Sequence, residues 1–463
     1  MIRTFPVLLF VCLIIISKDI YSQDKISVDS VDSVMEELQA ENNWGRMITL
    51  GESSLRKGYD SFFLRARLGM AYFETGQYIK AIPLLEITLQ TGIDNPTLLT
   101  NLYYCYFFTG READKGFVFS KLSERSKKRL QPLNNIIAND IFSDIGFSFS
   151  NDNVTYDSES SGTVNSANGE LYTEQTFNGN AFSVGVGINQ LLFQSLSIDY
   201  YYSYLKLDKT KTIQTSDQLY TNTYSEYQNR FYNKYNIRVS DGLVFSPAGH
   251  FIGTDLSTIY GNADSLISVK GNSGSQTVSV FEQQDIYDSF VLSADITKYM
   301  TAYSAGINGS FSYLNNIHQW QLGASFKMFP LKKASFYSVS DIFIQNQNEV
   351  ANMIFNQSIG GFYKKKFFYD LFFTVGNLNN FNEKNGALVY NNPDVIKFKT
   401  GFNMKYYITP LFNLNLGYSF QSRERNAYTY VNSTSANNQP VSQKSSSVSY
   451  SVNNIFAGLK FTF

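Results

Sequence analysis

From about residue 138 to the final Phe463, large apolar side chains alternate with small polar ones. Ile145, Phe147 and Phe149 interleave with Gly146, Ser148 and Ser150. Trp320, Leu322, Ala324, Phe326 and Met328 interleave with Gln321, Gly323, Ser325 and Lys327, and Phe412, Leu414, Leu416, Tyr418 and Phe420 with Asn413, Asn415, Gly417, Ser419 and Gln421. Successive side chains of a strand point to opposite faces, so a period of two writes one apolar and one polar face onto each segment. Two folds satisfy such segments: a soluble sandwich with its apolar faces inside, or a barrel whose apolar face meets hydrocarbon. Three features favour the barrel. The segments run about 10 to 15 residues, enough to cross a bilayer at a tilt. The polar face is small and uncharged in many places, as a filled or watery lumen requires. The links between segments alternate between short and long.

Short links include 190–195, 299–302, 330–333 and Thr409-Pro410, while long links rich in Ser, Thr, Asn and Gln include 151–179, 208–223, 265–288 and 432–446. The segments number about 14; residues 251–260 are the hardest to assign, which leaves 12 or 16 open. A helical part precedes the first strand and the chain ends with the last, so both lie on one side and the count is even. The composition agrees. Its 33 Tyr and 39 Phe beside 9 Pro suit strands and membrane–water boundaries. The mean hydropathy of −0.20 fits a barrel whose polar lumen offsets its apolar outside. No stretch beyond the N-terminal segment has 18 consecutive apolar residues, so no transmembrane helix is expected. A net charge of −1 points to no nucleic-acid partner.

Residues 1–22 read as a secretory signal: Arg3, the apolar run Phe5 to Ile16, and Tyr21-Ser22-Gln23 as cleavage point. Its removal takes Cys12 and leaves Cys105 without a disulfide partner. Residues 28–130 carry helical periodicity and a repeat of 34 residues, which relates Trp44 to Tyr78, Tyr72 to Tyr106 and Gly76 to Gly110. This is the period of the tetratricopeptide repeat. Leu68-Gly69, Tyr72, Gly76, Tyr78 and Ala81 stand where that family's pattern expects them, and the segment resembles two and a half to three such repeats. Small Gly69 and Ala81 imply a close helix crossing, and Gly76 and Gly110 imply helix ends. The resemblance implies a groove for a periplasmic protein partner; a stabilising cap or spacer is the other reading.

The terminal Leu459-Lys460-Phe461-Thr462-Phe463 resembles the C-terminal signature strand by which outer-membrane barrels are recognised for assembly. It implies Leu459, Phe461 and Phe463 as an assembly signal, with the barrel-assembly machinery and outer-membrane lipid as partners. The expected chain is thus α+β and multidomain: a tetratricopeptide-like array at 28–130 and an antiparallel transmembrane barrel at 138–463. The whole resembles, in architecture, outer-membrane porins of the exopolysaccharide-export type that carry a periplasmic tetratricopeptide domain.

Alternation places Arg230, Lys234, Arg238, Lys327, Lys397, Lys399, Lys405, Arg423 and Arg425 on the lumen face, against the acids Asp144, Asp199, Asp295 and Asp370. Lys397, Lys399 and Lys405 sit at even spacings and are expected to point the same way. Basic rings inside a pore favour anions. The expectation is an outer-membrane channel or export conduit for an anionic solute or acidic polymer. The alternatives are internal pairing of these bases and a non-conducting scaffold of an envelope machine. No cofactor, metal cluster or phosphate loop is expected. The chain has two histidines, His250 and His318, and a lipid-facing dyad of His318 with Ser338 or Ser340 is the weakest reading, so no enzyme is expected.

Overall fold

The computed structural model describes residues 31–91, 95–130, 139–152, 164, 169–215, 218–262, 278–364, 366–409, 411–432 and 441–463. The signal-peptide assignment lies outside these residues. Seven helices come first: α1 (Val31–Ala40), α2 (Trp44–Arg56), α3 (Phe62–Glu74), α4 (Tyr78–Gln90), α5 (Pro96–Thr109), α6 (Glu112–Lys121) and α7 (Glu124–Leu130). The starts of α2, α4 and α6 repeat at the 34-residue spacing. Side chains cap the helices: Ser61 Oγ accepts from Leu64 N at 3.0 Å, and Asn95 Oδ1 from Thr97 N at 3.1 Å, just before Pro96. Gly110 ends α5 at φ 77°, a conformation that costs a glycine little. Met35, Met47, Leu64, Leu68, Ala71, Ala81, Leu85, Leu102 and Cys105 form the core. Gly69 lies where a Cβ would stand 2.9 Å from Leu85 and 3.2 Å from Leu84, so α3 and α4 meet only because it has none.

The remainder is a closed antiparallel barrel. Its strands are β1 (Asp140–Ser150), β2 (Glu170–Phe193), β3 (Leu196–Thr215), β4 (Leu219–Ser240), β5 (Leu243–Asn262), β6 (Ser279–Tyr299), β7 (Tyr303–Leu314), β8 (Ile317–Met328), β9 (Tyr337–Gln347), β10 (Val350–Tyr363), β11 (Phe367–Leu378), β14 (Val395–Thr409), β15 (Phe412–Asn432) and β16 (Val441–Thr462). A two-residue pair, β12 (Asn382–Glu383) and β13 (Leu388–Val389), stands apart from the barrel sheet. The barrel therefore has fourteen strands, with residues 251–260 inside β5. The ladder from Asp140↔Thr462 to Ser150↔Val452 closes the ring and leaves no edge between first and last strand.

The apolar face looks outward. Ile307 is 63% and Leu322 58% exposed, and Ile145, Val184, Phe326, Ile344, Leu371, Leu416 and Leu459 share that belt. Inward positions are polar and closed off: Ser312, Gln319, Gln321, Gln345 and Thr374 are buried. This inversion of the soluble pattern is what a hydrocarbon surround demands.

At the end where β1 begins, links such as 194–195 and 241–242 are short. At the far end the wall height is uneven. β2 to β6, β15 and β16 have 20 to 24 residues, whereas β7 to β11 have 11 to 14. Much of what reads as long links, such as 208–215, 219–223, 279–288 and 441–446, is strand. These extensions rise past the apolar belt, where a strand needs no apolar face, so hydrophobic alternation stops marking them. Their Thr and Tyr content still suits strands. On the low side β7–β8 and β9–β10 turn through Asn315-Asn316 and Asn348-Glu349, all at φ between 49° and 61° or 63°, as tight primed hairpin turns require. Above β1, Tyr428 to Val431 of β15 pair directly with β2, joining the tall strands.

Candidate functional site

The interior of the barrel is occupied. The link from β11 to β14, residues 379–394, turns back into the lumen and carries β12 and β13 with it. Two apolar clusters seat it. Phe381 and Tyr390 pack with Phe343, Ile354, Leu378 and Ile396, and Val389 packs with Ile252, Val291 and Leu314. Side chains from many strands bind its backbone. Gln345 donates to Asn379 O at 2.8 Å, Gln321 to Asn382 O at 2.7 Å and Ser293 to Asn385 O at 2.9 Å. His250 Nδ1 lies 2.8 Å from Gly386 O. In return Asn385 Nδ2 donates to Ser246 O at 2.7 Å, beside Pro247, which has no N–H to offer β4. Asp394 accepts from Tyr450 OH of β16 at 2.7 Å, two strands along the wall from β14. One charged contact joins these: Lys399 Nζ lies 2.8 Å from Glu383, with both side chains almost fully buried, and Tyr390 OH bonds both partners. Sequence reading missed this segment because its Asn-rich composition is that of an ordinary link. Its signal was Phe381 and Tyr390, large aromatics in a run otherwise suited to solvent.

The helices occupy the short-link mouth. Asp114 of α6, 1% exposed on its side chain, is held between Arg111 at 2.8 Å and Arg238 of β4 at 2.7 Å. The Arg238 guanidinium lies 3.9 Å from the ring centre of Phe117, and Lys327 of β8 donates to Thr109 O at 3.3 Å. Phe108 meets Phe362 at 5.2 Å and Phe107 meets Tyr407 at 5.7 Å between ring centres. Burial opposes the charge of Arg111, but Tyr106, Asp114 and Glu86 outweigh it and raise its pKa. Glu112 is exposed but sits within the narrow mouth, where partial desolvation opposes its charge, and Lys115 and Lys460 hold its carboxyl below the usual range. Between helices and inserted segment lie two adjoining chambers, of about 370 Å³ and about 200 Å³, both lined by Lys234.

The nine basic residues therefore divide: Lys234 lines both chambers, and the other eight meet protein groups. Lys399 and Arg425 are buried in ion pairs, the latter with Asp152 at 2.9 Å, and Arg238 binds the helices. Arg230 and Arg423 each bind the glutamine two residues earlier, Gln228 and Gln421. Lys327 lies over the Phe329 and Tyr337 rings and Lys405 over Phe368. Lys397 does not share the face of Lys399. A register shift between Ile396 and Phe398 turns it outward, to Asn377 at 3.0 Å and Glu424 at 3.1 Å. Even spacing implies one face only on an unbroken ladder.

The repeat residues cluster in the array. Tyr72 OH bonds Glu52 and, at the next repeat, Tyr106 OH donates to Glu86 at 2.7 Å. Tyr78 stacks on Phe108 at 4.5 Å, Trp44 opens α2 and Gly76 follows α3 at φ 74°. Leu459 faces outward and the Phe461 and Phe463 rings meet at 5.0 Å. His318 is not near Ser338 or Ser340. It stacks with Phe311 and meets Tyr313 at a tilt at the far end of β8, whereas Ser340 lies opposite Phe326, eight residues along and so about 26 Å away at the usual strand rise.

No family model matches this sequence, and no curated protein matches it. Among solved structures it is similar to a TodX monoaromatic hydrocarbon channel mutant, with 11% identity and a TM-score of 0.44 over 70% of this chain and 91% of that one. A Pseudomonas aeruginosa FadL homologue gives 6%, 0.44, 70% and 90%. The Ralstonia pickettii toluene transporter TbuX gives 8%, 0.33, 70% and 90%.

Proposed function

We propose that the protein is an outer-membrane channel that rests closed, with residues 379–394 as its gate and the helical array seated in its periplasmic mouth. The observation that carries this reading is the way the segment is held. Hydrogen bonds from several strands, two apolar clusters and one buried ion pair hold it in the lumen, and no disulfide fixes it. The outward apolar belt supports the membrane setting, since a closed barrel is the only β architecture that satisfies its backbone in lipid. The anion preference is not carried forward: Lys399, Arg425 and Arg238 are paired, Lys397 points out, and in the larger chamber Lys234 and Lys384 stand beside three acids, Asp295, Asp341 and Glu383.

The scaffold reading also has an observation in its favour, because α5 and α6 spend one face on the protein's own barrel. Under either reading α1 to α3 remain to meet a periplasmic protein, and the last strand serves assembly. Planar-bilayer recordings of the parent protein and of a variant lacking residues 380–393 decide between them. A near-silent parent and a steadily conducting deletion support the gated channel. Silence in both, with the deletion shown to be folded, leaves the scaffold.

A further inference from the structure

Above the inserted segment, among the tall strands, lies a third chamber of about 190 Å³. Its floor is Asn391, Pro393 and Asp394, and its walls include the rings of Tyr224, Tyr260 and Tyr287. At about 30 Å³ per water it holds roughly six waters or one ligand of that size. The lysines in its lining are already paired, and its remaining carboxylate has neutral hydrogen-bond partners. Lys209 lies 2.6 Å from Glu226, and Lys211 lies 2.7 Å from Glu174 and 4.0 Å from the centre of the Tyr260 ring. Asp394 accepts from Asn178 and Tyr450. Beside Asn178 Oδ1 and Thr258 Oγ1, what is left over is Asn391, which has both a donor and an acceptor open. It is 8% exposed, and neither its Nδ2 nor its Oδ1 has a hydrogen-bond partner among the described residues. A buried amide with both a donor and an acceptor open is costly unless something fills them.

We infer that this chamber binds a neutral monosaccharide. Two neighbouring hydroxyls match an open amide, one donating to Oδ1 and the other accepting from Nδ2. The C–H faces of a sugar ring pack against tyrosine rings. The paired lysines bring no net charge and Asp394 adds a carboxylate without a cationic partner, which disfavours an anionic ligand. The assignment rests on the membrane reading only for the mouth by which the sugar enters, and binding does not require conduction.

Titration calorimetry on the full chain, in a detergent without a sugar headgroup, tests this with glucose, galactose and mannose, and with glucuronate as the anionic control. The expected result is saturable heat with at least one neutral sugar and at least fivefold weaker binding of glucuronate. Asn391→Leu is expected to weaken the sugar at least tenfold, and Asn391→Asp, which accepts but cannot donate, less. No saturable heat with any of the three overturns the proposal. So does equal binding of glucuronate, or an Asn391→Leu variant that binds like the parent. If Asn391→Leu fails the heat-modifiability test for a folded barrel, Tyr224→Leu decides, since it strips a ring from the wall and leaves the floor intact. Conductance recorded on the same preparation separates the two readings: binding without conductance keeps the site and removes the channel.

Discussion

Replacing Glu383 by Gln is expected to open the barrel. The change keeps the shape of the side chain and leaves Lys399 buried, with its ammonium group facing an amide instead of a carboxylate 2.8 Å away. Removing one partner of a buried ion pair typically costs about 3–5 kcal/mol. Apart from the bonds on Asp394, the other polar ties that hold the segment are neutral hydrogen bonds, such as those from Gln345, Gln321, Ser293 and Asn385, each worth about 1 kcal/mol net. The lost term is thus comparable with all four together. At about 1.4 kcal/mol per factor of ten, the ratio of seated to released segment should fall by roughly two to three and a half decades. Single-channel recording reads this as a rise in open probability. A double variant, Glu383→Leu with Lys399→Met, leaves no unpaired charge and should return to the closed state, because apolar replacement of a buried pair is often neutral or better. Should Glu383→Gln stay as silent as the parent while the 380–393 deletion conducts, the ion pair is not what holds the gate. Should the double variant conduct as strongly as Glu383→Gln, the loss of packing rather than of charge would be responsible.

Asp114→Ala leaves Arg111 with Glu86 and Arg238 with Asp241 but removes the carboxylate they share, and a loss of about 1.5–3 kcal/mol in docking is expected; limited proteolysis should then cut the helical array faster while the barrel stays intact. Leu322→Arg puts a charge in the apolar belt and should cost about 2–4 kcal/mol near the bilayer midplane, read from denaturant-dependent folding into liposomes; an unchanged midpoint would remove Leu322 from the lipid face. Gly69→Val forces a side chain into Leu85 and should destabilise the helical array by about 1–3 kcal/mol in thermal melts followed by helical circular dichroism, with no effect on the barrel.

The two periods were legible because each has one physical cause. A strand between lipid and lumen must alternate, so Trp320 to Met328 announced β8 residue by residue. Paired helices must cross closely at fixed intervals, so Gly69 and the Tyr72–Tyr106 spacing announced the array. What alternation cannot show is what happens where its cause stops. The upper halves of β3 and β4 leave the hydrocarbon and lose the pattern while keeping the ladder from Leu207↔Glu226 to Gln214↔Leu219. One irregular rung at Ile396–Phe398 reverses Lys397 without any mark in the local composition. Contacts across the lumen, such as Glu383 to Lys399 or Asp114 to Arg238, join residues whose nearness depends on the closed ring. The inward turn of 379–394 is of that kind.

The unequal height of the walls has a geometric consequence. With β2 to β6, β15 and β16 tall and tied together at Tyr428–Val431, and β7 to β11 stopping early at Asn315-Asn316 and Asn348-Glu349, the outer rim is a cup with one side cut away. The link that enters the lumen springs from β11, at the notch, not from beneath the tall strands. A force applied from outside therefore finds its handhold and its way through at the same place. Withdrawal of the stopper over the notch carries Asn391 with it and need not disturb the tall strands around its chamber.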